Sequence, residues 1–203
     1  RRHTNFAMES IEQTINGTSQ FGNKVTCTIS RNGDLITNVW IEMKVTGSKT
    51  DKSNVSLCNS FAHAALEYVE LEIGGQRIDK HYGEWLEIQS ELTLPEEKRQ
   101  GFKEMIGRRD AYANDSFIDT ENGGRTFYVP LQFFFCKNPG LALPLIALQY
   151  HEVKLNIALR KADDLITMVQ PGLDTSNLVK LDNLRVYVDY IYLDTDERRR
   201  FAQ

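Results

Sequence analysis

Hydrophobic and polar positions alternate along most of this chain. Val25, Cys27 and Ile29 are interleaved with Thr26, Thr28 and Ser30, the period-two pattern of a strand with one buried face. Arg31-Asn32-Gly33-Asp34 follows, and Asn-Gly suits the positive φ angles of a type I′ turn. Alternation then resumes with Leu35, Val39, Ile41, Met43 and Val45 on one face, so a β-hairpin is expected across the two segments. A second hairpin is expected where Val69, Leu71 and Ile73 alternate with Glu70 and Glu72 and Gly74-Gly75 turns the chain into Gln76-Arg77-Ile78. Further strands are predicted through Val129, Leu131, Phe133 and Phe135, through Val153, Leu155, Ile157 and Leu159, and from Leu184 to Leu193.

The period changes once. Tyr82, Trp85, Leu86 and Leu92 fall at helical spacing, and Thr93-Leu94-Pro95-Glu96 reads as a capping box. The helix it opens presents Phe102, Met105 and Ile106 and stops near Gly107. A helical insertion of roughly 25 residues, about 82-107, therefore interrupts an all-β pattern and is expected across one end of it. In "NPGLALPLIALQY", Pro139 and Pro144 forbid continuous pairing, and the leucines suit a short buried helical turn or corner. About eight strands with turn signals between them predict two packed antiparallel sheets, a sandwich or an eight-stranded jelly roll. Phe133, Phe134 and Phe135 make both faces of their strand apolar, so a second cover is expected there: the insertion, a neighbouring domain or a neighbouring subunit.

Composition narrows the picture. At 203 residues and 41% hydrophobic, the chain can bury a core as one all-β domain. A formal net charge of -4 argues against a protein whose first task is to neutralise phosphates, and no polybasic face is visible. Cys27, Cys58 and Cys136 are odd in number and widely spaced, which predicts buried free thiols in a reducing compartment, neither a disulfide framework nor paired metal ligands. No apolar run is long enough to span a bilayer, and no apolar segment of secretory type follows Arg1-Arg2-His3-Thr4-Asn5. The missing initiator Met and the charged close "LDTDERRRFAQ" are read as part of a longer chain.

Candidate chemistry changes little. His3, His63, His81 and His151 form no His-x-His or His-Glu-x-x-His motif, so they are expected to be structural or surface residues. Tyr150-His151-Glu152 reads as a strand-edge polar cluster rather than an acid/base site. Gly74-Gly75 and Gly123-Gly124 lack the context of a phosphate-binding loop and read as turns. Asp163-Asp164 and Glu96-Glu97 are adjacent, pointing apart in a strand or favouring a helix start, and carry no catalysis. Asn16, Asn54 and Asn114 lie in Asn-x-Ser/Thr sequons read as chance occurrences. Arg198-Arg199-Arg200 after Asp194, Asp196 and Glu197 suits a solvated helix start or an intersubunit ion-pair network. No catalytic, cofactor-binding or metal-binding residue is assigned, and no cofactor is expected.

Five segments, in order, carry a family resemblance: "RRHTNFAMESIEQTINGTSQFG", "ISRNGDLITNVWIEM", "YVELEIGGQRIDKHYGEWLEIQSELT", "FYVPLQFFFCKNPGLALPLIALQYHEVKLNIAL" and "VDYIYLDTDERRRFA". They resemble the major capsid proteins of the nucleo-cytoplasmic large DNA viruses. The resemblance implies that residues 1-203 are one jelly roll, the first of two in a longer chain, with the linker to the second beginning about 194-203. It implies a structural virion protein, not an enzyme: a homotrimer of pseudo-hexagonal outline that tiles an icosahedral shell. The implied partners are neighbouring capsomers, minor capsid proteins and, through other proteins, an internal viral membrane, with no direct nucleic acid and assembly in the host cytoplasm. Polar loops Thr46 to Asn59 and Ala111 to Gly124 are expected at the barrel ends. The competing readings are a lectin-like jelly-roll binding module, a minor capsid paralogue on the virion surface, and a cupin-type enzyme, the last disfavoured by the absent histidine set.

Overall fold

The alternating segments do become strands, and their apolar faces meet. A computed structural model describes residues 3–47, 56–109, 124–168 and 178–202. One sheet runs in the order β1 (Phe6–Gln13), β12 (Lys180–Leu193), β4 (Leu35–Thr46), β8 (Arg125–Pro130), with β9 (Leu143–Pro144) also paired to β4. The other runs β2 (Ile15–Asn16), β3 (Lys24–Thr28), β10 (Val153–Leu159), β6 (Leu66–Ile73), β7 (Gln76–Tyr82). A small third sheet joins β5 (Ser56–Leu57) to β11 (Ile166–Met168). Eight of these strands have five or more residues, four in each large sheet, and all the pairings are antiparallel. Val39, Ile41, Met43, Val45, Val186 and Val188 of one sheet and Val69, Leu71 and Leu155 of the other are fully buried in one shared core.

The second hairpin forms as its sequence requires. β6 and β7 pair from Ile73 against Gln76, and the two residues between them, Gly74 at φ 59° and Gly75 at φ 80°, both lie in the left-handed region of a type I′ turn.

The first expected hairpin does not form. β3 pairs with β2 and β10, whereas β4 pairs with β12, β8 and β9, so residues 29–34 cross between the sheets. Gly33 has no positive φ. Its requirement is space, because a Cβ there would lie 2.7 Å from the Tyr190 Cβ. Tyr190 is fully buried and donates its hydroxyl to the Ser30 carbonyl at 2.6 Å. A local turn signal thus marks a crossover, since long-range pairing decides which sheet each strand joins.

The helical insertion is two helices, α2 (Gly83–Thr93) and α3 (Glu96–Ile106), preceded by a short α1 (Phe61–Ala65) that the pattern does not predict. Pro95 pushes Leu94 out of the helical region, to φ -76° and ψ 122°, and so divides the insertion. The capping box is absent: Pro95 occupies the N-cap without a side-chain bond, and Thr93 Oγ1 donates to the Gln89 carbonyl at 2.7 Å. The stop at Gly107 is as expected, with φ 74° and a Cβ position only 2.6 Å from the Phe127 ring. The two helices sit between β7 and β8, the edge strands of the two sheets, with Leu86 and Ile106 in the core.

The expected strand through Phe135 ends at Pro130. The chain then turns into α4 (Phe134–Lys137), burying Phe133 and Phe135 and leaving Phe134 41% exposed. Continuous pairing is indeed broken in the following segment, which forms a 3-10 turn over Pro139–Leu141 and then the two-residue β9; Leu143 and Leu145 are buried and Leu141 is exposed. The chain closes on α5 (Thr195–Ala202), where Arg198 Nε reaches Asp34 Oδ2 at 3.0 Å and Arg200 pairs with Glu197. Most of the two long polar loops lies outside the described residues.

Candidate functional site

The densest polar cluster lies under the helical flank. Ser60 stands just before α1 in the left-handed conformation, φ 51°, and is the one non-glycine with positive φ among the described residues. Its hydroxyl donates to Glu87 Oε1 at 2.8 Å, while His63 Nδ1 lies 2.6 Å from Glu87 Oε2. Arg108, just past the Gly107 stop, forms ion pairs with both Glu87 and Glu91, and its Nε donates to Ser60 Oγ at 3.2 Å. Arg108 is 8% exposed along its side chain and His63 2%. Burial works against the Glu87 charge, but hydrogen bonds from His63, Ser60 and Arg108 overcome it and hold the carboxyl at about 2.

The geometry is that of a bolt, not of a hydrolase. The serine hydroxyl donates not to the histidine but to a carboxylate that His63 and Arg108 already engage. One carboxylate instead ties α1, α2 and the end of α3 together. The signal for this cluster was present but dispersed: Glu84, Glu87 and Glu91 recur at three- and four-residue spacing on α2, and Arg108-Arg109 follow the helix stop.

The outward face of α2 is apolar. Trp85, Ile88 and Leu92, spaced i, i+3, i+7, are 42%, 52% and 77% exposed, and Tyr82 and Phe134 are exposed nearby. Helical spacing at Tyr82, Trp85, Leu86 and Leu92 therefore marks two faces, and only Leu86 of the four enters the core.

The remaining sequence candidates stay apart. His3 and His151 are exposed; His81 is buried, stacked on Phe133 at a ring distance of 4.7 Å, with Nε2 3.1 Å from Asp79. No group of three or more His, Cys, Asp or Glu side chains is arranged to hold a metal among the described residues. The three cysteines are free. Burial pushes the Cys27 thiol up to about 11 and Cys136 up to about 12, although Cys58 and Cys136 are only partly buried. Glu96 and Glu97 occupy the first turn of α3, Asp163 and Asp164 a 3-10 turn, and Gly124 precedes β8 at φ 90°. Asn16 is exposed in β2, while Asn54, Asn114 and Gly123 lie outside the described residues. No helix among the described residues is long and apolar enough to cross a membrane.

Two antiparallel sheets, each with four strands of five or more residues and joined by crossovers, define a jelly roll, and its solved counterparts are viral capsid proteins. The quasi-atomic model of the PBCV-1 virus capsid superposes with a TM-score of 0.80 at 46% identity, covering 100% of this chain and 46% of that one. The Faustovirus major capsid protein shares the fold at a TM-score of 0.75 and 10% identity. The family pattern described as major capsid protein N-terminus matches residues 1–194. The chain belongs to this major capsid protein family. It is 51% identical over its whole length to the major capsid protein of Pyramimonas orientalis virus and 46% identical to that of Paramecium bursaria Chlorella virus 1. It spans about half of these relatives, 48% and 44% of their lengths.

Proposed function

We propose that this chain is the N-terminal barrel of a major capsid protein that builds an icosahedral shell from trimers of two-barrel subunits. The observation that carries the reading is the match of residues 1–194 to the N-terminal family pattern, and the 46% identity over the whole chain to the PBCV-1 capsid chain supports it. Relatives roughly twice as long leave room for a second barrel, with α5 as the start of the linker. Six barrels in a trimer give a pseudo-hexagonal outline that can tile a closed surface. Such a subunit works by shape and contact, without catalysis, a cofactor or direct nucleic-acid binding. The lectin-like alternative is not favoured, because the relatives aligned over the full chain are named capsid proteins.

The test is light scattering of the full-length product, with negative-stain images of the same peak. Trimeric mass and pseudo-hexagonal discs are expected. A stable monomer of full length overturns the reading.

A further inference from the structure

A groove runs along the helical flank between α2 and residues 130–137. It consists of a cavity of about 430 Å³, reaching in to Leu86, Gln89 and Phe102, and one of about 510 Å³ beside His81, Tyr82, Trp85 and Phe134. Gln132 and Lys137 line both.

Each cavity holds a buried polar group without a partner. Gln89 is 7% exposed and its Oε1 accepts no hydrogen bond; His81 is 7% exposed and its Nδ1 has none either. Burial lowers the His81 pKa against the pull of Asp79, so the ring is neutral near pH 7. Nε2 faces Asp79 and carries the proton, which leaves Nδ1 as an acceptor. Both orphans therefore ask for donors.

The rim asks for the opposite charge. Lys98 and Lys137 are exposed and form no ion pair among the described residues, in a chain whose overall charge is -4. Lys80 is engaged, its ammonium 3.9 Å from the centre of the Tyr68 ring. Trp85 and Phe134 add exposed aromatic surface of the kind that anchors peptide side chains.

Backbone N–H donors, carboxylates and an apolar anchor occur together in one class of ligand. We propose that this groove binds an extended acidic peptide segment of another polypeptide. Its carboxylates pair with Lys98 and Lys137, an apolar side chain packs on Trp85 and Phe134, and its backbone N–H groups satisfy Gln89 and His81 once these side chains turn out toward the groove. Only the source of the peptide, another shell component, rests on the capsid reading; the chemistry of the groove does not.

The probe is Phe-Asp-Leu-Glu-amide carrying fluorescein on its N-terminal amine, titrated by anisotropy against the full-length protein and compared with its Asn/Gln counterpart. Saturable binding is expected for the acidic peptide. Affinity should fall at least about tenfold for the neutral peptide and for K98E/K137E, and should be unchanged for K180E, a reversal at an exposed lysine on β12. Gln89→Leu, which removes an orphan acceptor without touching the charge, should also weaken binding. Absent binding, or binding indifferent to K98E/K137E, overturns the inference. Light scattering on the same samples separates the readings: a trimer that ignores the peptide leaves the capsid reading standing, and a non-trimer that binds it does the reverse. Loss of trimeric mass in K98E/K137E also overturns the inference, since the groove would then be a contact between subunits.

Discussion

The sandwich and its helical flank are held by different physics. Where β4 meets β12, side chains such as Val39, Ile41, Val186 and Val188 are fully buried hydrocarbon, and their stabilisation is indifferent to protonation. Where α1, α2 and α3 close the side of the barrel, Phe61, Leu86 and Ile106 are buried in the core as well, but Glu87, His63, Ser60 and Arg108 tie the helices to one another. One region fails when volume is removed. The other also loosens when a charge is removed, so a charge-removing treatment can be chosen that damages it and spares the sandwich.

The largest effect is expected in the sandwich. Ile41→Ala removes three heavy atoms from a site with no solvent exposure and should cost about 3 kcal/mol, read as a lower urea midpoint. The loss should be the same at neutral and mildly acidic pH. A loss that grows on acidification would show that the two regions are not energetically separate.

Next comes Arg108→Met, which keeps the packing of the stem but leaves Glu87 and Glu91 without their shared cation. It should destabilise by about 2 kcal/mol, since Arg108 is 8% exposed and bonded to charged partners. Proteolysis should cut first among α1 to α3, with the β4–β12 pairing still protected in hydrogen exchange.

A smaller effect follows from Glu87 alone. Its carboxyl titrates near 2 in the fold against an ordinary 4.5, so its contribution is complete above pH 4.5 and is lost as pH falls through about 2. The side chain is 34% exposed, and solvent screening reduces the contribution to on the order of 1 kcal/mol. Glu87→Gln should flatten the acid limb of a stability-against-pH curve in that window, whereas Ile41→Ala should retain it. An unchanged limb in Glu87→Gln removes the basis for the contrast.

Sequence alone makes one of these regions far more legible than the other. Alternation in β4, β10 and β12 follows from neighbours two residues apart, so those strands and the Gly74-Gly75 turn could be read directly. Asn32-Gly33 misleads because its local preference is overruled by the sheets to which β3 and β4 belong. Thr93 misleads because Pro95 starts the following helix two residues later. The flank cluster joins positions 60, 63, 87 and 108, and no period or motif links residues so far apart. The cavities beside Gln89 and His81 depend on how α2 meets the segment after β8, a tertiary outcome that hydrophobic pattern does not encode.

The smallest expected effect isolates exposure as the variable. Arg99 and Arg108 both pair with Glu91, so the two contacts share an acceptor and differ in surroundings. Arg99 also pairs with Glu96, one helical turn away, and its side chain is 30% exposed against 8% for Arg108. Water solvates the Arg99 guanidinium after its partners are lost, and salt weakens the pair before they are. Arg99→Met should therefore leave the urea midpoint within its scatter, at low and at high salt, while Arg108→Met lowers it at both. Equal losses from the two substitutions would mean that Glu91, and not the buried position of Arg108, governs the flank, and the contrast between the regions would then rest on Glu87 alone.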